Sequence, residues 1–349
     1  MKWASLGLVL MSLPVAAAQE ADGFRLNTQG LEASDHGRHV EAERLFRESV
    51  KVWKALGPAY EAHVATTQTN LAQSLGAQGK REEAVEVLES AVKQFRHALG
   101  PESIYTLTSI NLLGANYLML GEDDRAAALF KETLPIERRL YPNHVQLSRS
   151  LAGLSLVKLR AGALDEAMPL AEEGLAVALK AEGDNTLDAA LVFSNVAEVH
   201  RMAGRPERAL PLYRKARSLY EQLLGPEHPR VASILSQEGL ILMNEGKIST
   251  AEKLMTQSLR ILAKSCPDCV FERTVSQTNL GLLRMKQERY QEADRLLSEV
   301  VSLIDQHWGK PGRMLAGILQ SLAEVREKQR RPEDAARLQQ RADLILAYR

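Results

Sequence analysis

The repeating unit of this chain is clearest in residues 195–229, which read NVAEVHRMAGRPERALPLYRKARSLYEQLLGPEHP. Two small residues, Ala197 and Ala209, stand on either side of Gly204. Glycine adopts the left-handed conformation that ends a helix at low cost, and small side chains let two helices cross closely. The stretch therefore predicts a helix, a short turn and a second helix that ends at Gly225, just before a proline.

The same columns recur along the rest of the chain. An alanine returns every 42 residues, with one interval of 41, at Ala42, Ala84, Ala126, Ala167, Ala209, Ala251, Ala293 and Ala335. Twelve residues before each alanine stands another small residue, at Gly30, Ala72, Gly114, Ser155, Ala197, Gly239, Gly281 and Ala323. A glycine occupies the turn of the first six units, and Glu288 and Arg330 take its place in the last two. A single helix pair cannot bury its apolar face, so repetition of this kind predicts a stack of helix pairs.

These features resemble the 42-residue tetratricopeptide repeat (TPR) of kinesin light chains over residues 24–349, and we interpret the chain as an exported bacterial member of that type. The asparagine before the small residue, as in Asn195-Val196-Ala197, and the Gly225-Pro226 linker carry the resemblance. A 42-residue period also suits HEAT repeats, but small residues flanking a glycine turn favour TPR. The resemblance implies an all-α, right-handed α-solenoid of about eight helix pairs. Its units are expected at approximately 24–57, 65–99, 106–141, 147–181, 188–224, 230–265, 273–308 and 315–349.

The first residues are typical of a cleavable signal peptide. Lys2 supplies a positive charge, an apolar run follows, and Ala16-Ala17-Ala18 offers the small residues that a signal peptidase requires. The alternative is an uncleaved membrane anchor, although the run is shorter than the roughly 20 residues needed to span a bilayer. We therefore expect residues 1–18 to be a signal peptide and residues 19–349 to form the solenoid of a periplasmic or secreted protein, with no membrane span in the mature chain.

Composition and motifs argue against several classes of function. Lysine plus arginine equals aspartate plus glutamate at 44 each, which lacks the basic excess expected of a nucleic-acid-binding protein. Neither a phosphate-binding glycine loop nor a G-x-S-x-G or H-E-x-x-H motif occurs. We therefore expect no enzyme activity, no catalytic residue and no cofactor. His36 and His39 could both face a metal, but they lack a further nearby ligand in sequence, so no metal site is predicted.

Cys266 and Cys269 are the only cysteines, and they replace the glycine-proline linker between two units. In an oxidising compartment a local disulfide is the favoured interpretation. A redox-active C-x-x-C usually sits in a βαβ context, which this chain lacks. A metal site would require further ligands, for example from a dimer partner. The sequence leaves these alternatives open.

The candidate binding surface is the concave groove lined by the first helix of each pair. Residues around the small position of those helices are mostly amides and hydroxyls, which suit an extended peptide backbone. The resemblance implies peptide contact at Asn70, Asn195 and Asn279, which match the family's asparagine column. Alternatively, these asparagines bond to neighbouring helices and hold the stack. The predicted groove residues are Thr66, Asn70, Gln73, Asn111, Arg149, Asn195, Glu198, Arg201, Ser233, Gln237 and Asn279.

Three functional hypotheses follow. The leading one is a non-enzymatic scaffold that binds a peptide or protein segment, of unknown identity, in the concave groove. The second is a structural or assembly role carried by the convex face or the edges. The third is redox or metal handling through Cys266 and Cys269. The apolar end of the last helix, around Leu344 and Leu346, is expected to pack on the preceding unit or to form a homodimer contact.

Overall fold

A computed structural model describes residues 4–182, 185–307 and 313–347. Sixteen α-helices make up this part of the chain, and no strand occurs within it. A short 3₁₀ turn, Pro58–Tyr60, precedes the third helix. The helices are α1 (Ala4–Asp35), α2 (His39–Leu56), α3 (Glu61–Ala77), α4 (Arg81–Leu99), α5 (Ile104–Leu120), α6 (Asp123–Leu140), α7 (Val145–Arg160), α8 (Leu164–Glu182), α9 (Leu187–Met202), α10 (Pro206–Leu224), α11 (Pro229–Asn244), α12 (Ile248–Ser265), α13 (Val270–Lys286), α14 (Tyr290–His307), α15 (Arg313–Lys328) and α16 (Pro332–Ala347).

Each helix packs most extensively against its neighbours in sequence, so the chain forms eight stacked helix pairs. Most successive odd-numbered helices also touch one another, which places them on the inner, concave side of the stack. The predicted all-α solenoid of eight pairs is confirmed. The first helix is longer than its predicted unit, because it begins at Ala4 and continues unbroken to Asp35. Within the described residues no helix is both long and apolar enough to cross a membrane.

At the small-residue positions of the first helix, a bulky residue of the second helix packs closely against the backbone. A Cβ atom added at Gly114 would lie 2.8 Å from Cζ of Phe130, and one added at Gly281 would lie 2.8 Å from Cδ2 of Leu297. Phe130 and Leu297 are both buried. In both pairs the bulky residue follows the small residue by sixteen positions. The same spacing therefore produces the same close crossing of the two helices.

The turn between the two helices of a pair has one backbone conformation throughout. The six predicted turn glycines all have positive φ, for example 72° at Gly37 and 70° at Gly204. Glu288 and Arg330 adopt the same conformation, with φ of 58° and 61°. A non-glycine residue there crowds its Cβ against the backbone, at a cost of about 1–2 kcal/mol. The geometry of the turn is therefore conserved along the stack even where glycine is absent.

The last helix pair closes the stack. Ile345 packs against the buried cluster formed by α14 and α15, but the packing predicted for Leu344 and Leu346 is not observed. Leu344 and Leu346 are exposed on the surface of α16. Tyr348 and the ends of the last two predicted units lie outside the described residues.

Candidate functional site

The inner face of the stack, formed by the odd-numbered helices, carries two cavities. The first measures about 270 Å³ and is lined by residues from the first two helix pairs and from the fifth to seventh pairs. Asn70 and Gln73 on α3 face it from one side, and Ser233 on α11 and Glu272 on α13 face it from the other. Its wall therefore offers amide, hydroxyl and carboxylate groups, which suit hydrogen bonding to a polar ligand or a peptide backbone.

The second cavity is larger, about 650 Å³, and more apolar. Met119 and Met202 line it, and both keep roughly two-fifths of their surface exposed. Phe271 and Met314 complete an apolar wall. Methionine side chains repack easily around different shapes, so this wall can accommodate apolar side chains of a partner.

Charged residues rim the second cavity in fixed pairs. Nε of Arg201 donates to Oε2 of Glu198 at 2.8 Å, and the Tyr213 hydroxyl donates to the same carboxylate oxygen at 2.6 Å. Burial alone would raise the pKa of Glu198, but the hydrogen bonds and charge of Arg201, with the Tyr213 hydrogen bond, hold that pKa below its usual value. Across the cavity Arg160 pairs with Asp123 at 2.9 Å. The rim is therefore polar and preorganised.

The first turn meets the linkers before the sixth and seventh helix pairs beside the first cavity, in a contact that we call the seam. It joins residues 35–40 of the first turn to His228 and to the linker 266–269. Sγ of Cys266 lies 3.2 Å from the Gly37 carbonyl oxygen, and the Val40 amide donates to Oδ2 of Asp268 at 3.4 Å. The coil therefore closes on itself across the groove between the first and seventh pairs.

His228 strengthens the seam from the preceding linker. Its Nδ1 accepts the Arg230 amide at 3.1 Å, so its Nε2 is the donor to the Asp35 carbonyl oxygen at 3.2 Å. Burial lowers the pKa of His228, and the charge of Arg230 acts in the same direction. A second contact across the groove places the Arg81 guanidinium 4.5 Å from the centre of the Phe271 ring.

A disulfide joins Cys266 and Cys269, with 5.3 Å between their Cα atoms. Both cysteines are buried, and Cys269 borders the first cavity together with His39. Burial lowers the pKa of His39, and the nearby Asp268 carboxylate opposes that effect. The other histidine of the first turn, His36, lies against its own helix, with Nδ1 2.7 Å from the Glu32 carbonyl oxygen.

The predicted groove residues divide into two groups. Five of them border the cavities: Asn70, Gln73 and Ser233 line the first, and Glu198 and Arg201 line the second. Thr66 is exposed on α3, where its hydroxyl donates to the Ala62 carbonyl oxygen. Asn195 and Gln237 are half-buried on inner helices. Among the described residues, Oε1 of Gln237 is buried and accepts no hydrogen bond.

The side chains of the remaining groove residues bond to other residues of the stack. Asn111 is buried, donates to Glu137 at 2.7 Å and accepts from Thr133 at 3.0 Å. Asn279 is also buried and donates to the Ser236 hydroxyl at 3.0 Å. Their amides therefore bond to neighbouring helices, as in the alternative that the sequence left open.

Asn70 and Arg149 have partners on an adjacent pair. Asn70 donates to Asn27 at 3.1 Å while still bordering the first cavity. Arg149 forms an ion pair with Asp188. The asparagine column thus has both roles, since Asn279 holds the stack and Asn70 also reaches the groove.

Sequence reasoning missed the seam and the contribution of Met119, Phe271 and Met314 to the apolar wall of the second cavity. The only signal of the seam was the replacement of the usual linker by Cys266–Cys269, which marks the seventh pair as different. Met119 lies at the end of α5, outside the columns from which groove residues were predicted. The 42-residue period describes contacts between neighbouring units, so it does not indicate the contacts between the first and seventh pairs.

The fold and the lined concave face define the chain as an α-solenoid of the repeat-protein class. A tetratricopeptide repeat family model matches residues 63–139 and 188–264. These segments cover α3–α6 and α9–α12, two helix pairs each. Both segments therefore carry tetratricopeptide repeats.

Among the curated proteins, the chain is similar to Protein KINESIN LIGHT CHAIN-RELATED 1 of Arabidopsis thaliana, with 22% identity over 281 residues. The match covers 68% of this chain and 46% of that relative, so the chain spans about half of its length. A similar solved structure is BtubC (BKLC) from P. vanneervenii, with a TM-score of 0.51 and 19% identity, covering 64% of this chain and 91% of that one.

The Rap protein complexed with competence and sporulation factor is also similar, with a TM-score of 0.70 and 13% identity. This likeness covers 94% of the present chain and 86% of the Rap chain. At these identities the two structures support the fold alone.

Proposed function

We propose that this protein is a non-enzymatic scaffold that holds a peptide or protein segment in its concave groove. The observation that carries the proposal is the pair of cavities on the inner face, one polar and one lined by exposed methionines. An extended segment offers both chemistries, because its backbone forms hydrogen bonds and its side chains fill apolar pockets.

The partner segment is expected to run along the inner helices past both cavities. Asn70 and Gln73 provide amide groups for its backbone. Met119 and Met202 receive an apolar side chain. The Rap structure of similar fold was solved with competence and sporulation factor, which supports a role for such coils in holding a partner.

Site-specific photo-crosslinking tests the groove. A photoreactive amino acid at Met202 should crosslink a partner in cells, whereas the same residue at exposed Lys93, on the outer helix α4, should not. The double substitution Met119→Glu and Met202→Glu should abolish binding of the recovered partner, because two carboxylates would enter the apolar wall. Circular dichroism of the purified variant serves as the control for folding.

The opposite pattern would favour the alternative role. If crosslinks form at Lys93 and the double variant binds the partner as tightly as the wild type, the convex face carries the contact. The protein would then be a structural or assembly factor, and the groove proposal would be withdrawn.

We also propose that the chain is exported and cleaved after Ala18. The apolar run that ends in Ala16-Ala17-Ala18 supports this, and so does a disulfide suited to an oxidising compartment. Fractionation and N-terminal sequencing should place a protein that starts at Gln19 in the periplasm or medium. Retention of full-length protein in the cytoplasm would refute the proposal, and Ala18→Asp should block cleavage in the same assay.

A further inference from the structure

The seam brings together three side chains that are typical metal ligands. A ring nitrogen of His39 and the Sγ atoms of Cys266 and Cys269 lie within 4.8 Å of one another. The histidine is the first residue of α2, whereas the cysteines belong to the linker before α13. The superhelical closure, and not the local sequence, creates this cluster.

The surroundings of the cluster suit a ligating histidine. Nδ1 of His39 lies 3.5 Å from the Ser34 hydroxyl, and such a contact orients an imidazole ring toward a metal. Asp268, between the two cysteines, is held beside the cluster by the Val40 amide. His39 and Cys269 border the first cavity, which provides a path for a cation and a position for water.

The identity of the ligands selects the class of cation. Two thiolates and one imidazole form a soft donor set that favours Zn²⁺ over magnesium or calcium, which prefer oxygen. Three protein ligands leave one tetrahedral position open for water. The cysteines can act as ligands only in the dithiol state, since the disulfide occupies both sulfur atoms.

We propose that, once the disulfide is reduced, His39, Cys266 and Cys269 form a Zn²⁺-binding site that crosslinks the first and seventh helix pairs. A dithiol reductant supplies two electrons and two protons: the Cys266–Cys269 S–S bond breaks, and the reductant closes its own disulfide. Zn²⁺ then displaces the two thiol protons into solvent as two Zn–S bonds form. The site goes beyond the proposed scaffold function and does not rest on it.

The local disulfide and the metal have different consequences for the coil. The disulfide joins two residues of one linker, so it leaves the first pair attached through hydrogen bonds and packing alone. A bound Zn²⁺ would connect that linker to α2 through His39. The redox state of the cysteines therefore decides whether a metal fastens the seam.

Cobalt(II) is the probe for the test, because it enters zinc sites and reports thiolate ligation by absorption. The purified chain is reduced with a phosphine under anaerobic conditions and titrated with Co²⁺, and Zn²⁺ is then added. We expect one equivalent of cobalt, a thiolate charge-transfer band, tetrahedral ligand-field bands and displacement by zinc. The oxidised wild type should show none of these signals, and this comparison requires no variant.

Variants assign the ligands. His39→Ala should weaken cobalt binding by at least about tenfold, since loss even of an outer partner costs about 10–100-fold in affinity. Cys266→Ser should remove most of the charge-transfer band. His36→Ala is the matched control, because His36 lies on the same turn but outside the cluster, and it should bind like the wild type.

Two results would overturn the proposal. One is a reduced wild type that takes up no cobalt or zinc, and the other is a His39→Ala variant that binds as tightly as the wild type. Circular dichroism must show native helicity for each variant, so that loss of binding reports the ligand and not unfolding.

Discussion

The stack and the seam are built on different principles. Between successive helices the contacts are large, repeated and apolar, with side chains such as Phe46, Phe130 and Tyr213 almost fully buried. Across the groove the contacts are few and mostly polar. They involve residues that are not part of the repeat pattern, such as Asp268 and Cys266. Most of the folding free energy therefore lies in the stack, while the seam adds polar contacts across the groove.

The largest expected effect comes from breaking the stack. Phe130→Ala removes a buried ring that fills the space beside Gly114 and should lower the free energy of unfolding by about 3–5 kcal/mol. Urea unfolding followed by circular dichroism measures this change. Exposed Met119→Ala is the control and should stay within about 0.5 kcal/mol of the wild type. A small loss at Phe130 would mean that stacking does not dominate stability.

A buried carboxyl makes the stack sensitive to pH. Burial raises the pKa of Glu137 from 4.5 to about 7, although hydrogen bonds from Ser150 and Asn111 oppose the shift. The folded protein therefore holds this proton more tightly than the unfolded chain. The stabilisation is complete below about pH 4.5, falls as the pH rises, and is lost above about pH 7; its upper limit is about 3 kcal/mol.

Glu137→Gln isolates this contribution. The variant should lack the part of the decline between pH 5 and pH 7.5 that Glu137 causes, because glutamine does not ionise. Urea unfolding across that range measures both proteins, and the difference between them cancels the titration of other groups. Parallel curves for the wild type and the variant would contradict the raised pKa.

A pair of glycine variants separates the seam from the turn. Gly37→Ala and Gly204→Ala both place a Cβ at a positive φ, which costs about 1–2 kcal/mol. At Gly37 the Cβ would also lie 2.7 Å from Sγ of Cys266, whereas at Gly204 no atom lies within 4 Å. We expect an additional loss of about 1–3 kcal/mol at Gly37 in urea unfolding. Equal losses would show that the close approach of Gly37 to Cys266 does not constrain this position.

The smallest effect concerns a turn that lies outside the seam. Glu288 is exposed and has a positive φ, so Glu288→Gly should relieve strain and stabilise the protein by up to about 1 kcal/mol. Glu288→Ala, which keeps the Cβ, is the matched control and should give no gain. Thermal unfolding measures both variants, and a gain with alanine would point to the charge of Glu288 as the cause.

The sequence was sufficient to predict the stack because its information repeats. The alanine column, the small column and the turn column each recur eight times, so helix bounds and pairing follow from spacing alone. Even Glu288 and Arg330 could be placed in the turn by register, and the structure gives both a left-handed backbone.

The candidate site was harder to predict because one column can serve two purposes. Asn279 and Asn70 occupy equivalent positions, yet Asn279 is buried and donates to the Ser236 hydroxyl while Asn70 reaches a cavity. The difference depends on which residues the neighbouring pair supplies. The His39–Cys266–Cys269 cluster depends on the pitch of the whole coil, and no local pattern contains that quantity.

The seam also constrains how this repeat array can evolve. An open solenoid tolerates duplication or loss of a unit, because each unit touches only its neighbours. Here the first turn must meet the linker before the seventh pair, so a 42-residue insertion anywhere between residues 40 and 266 would carry His39 out of register with the cysteines. The seam therefore fixes the number of repeats between the first turn and the Cys266–Cys269 linker.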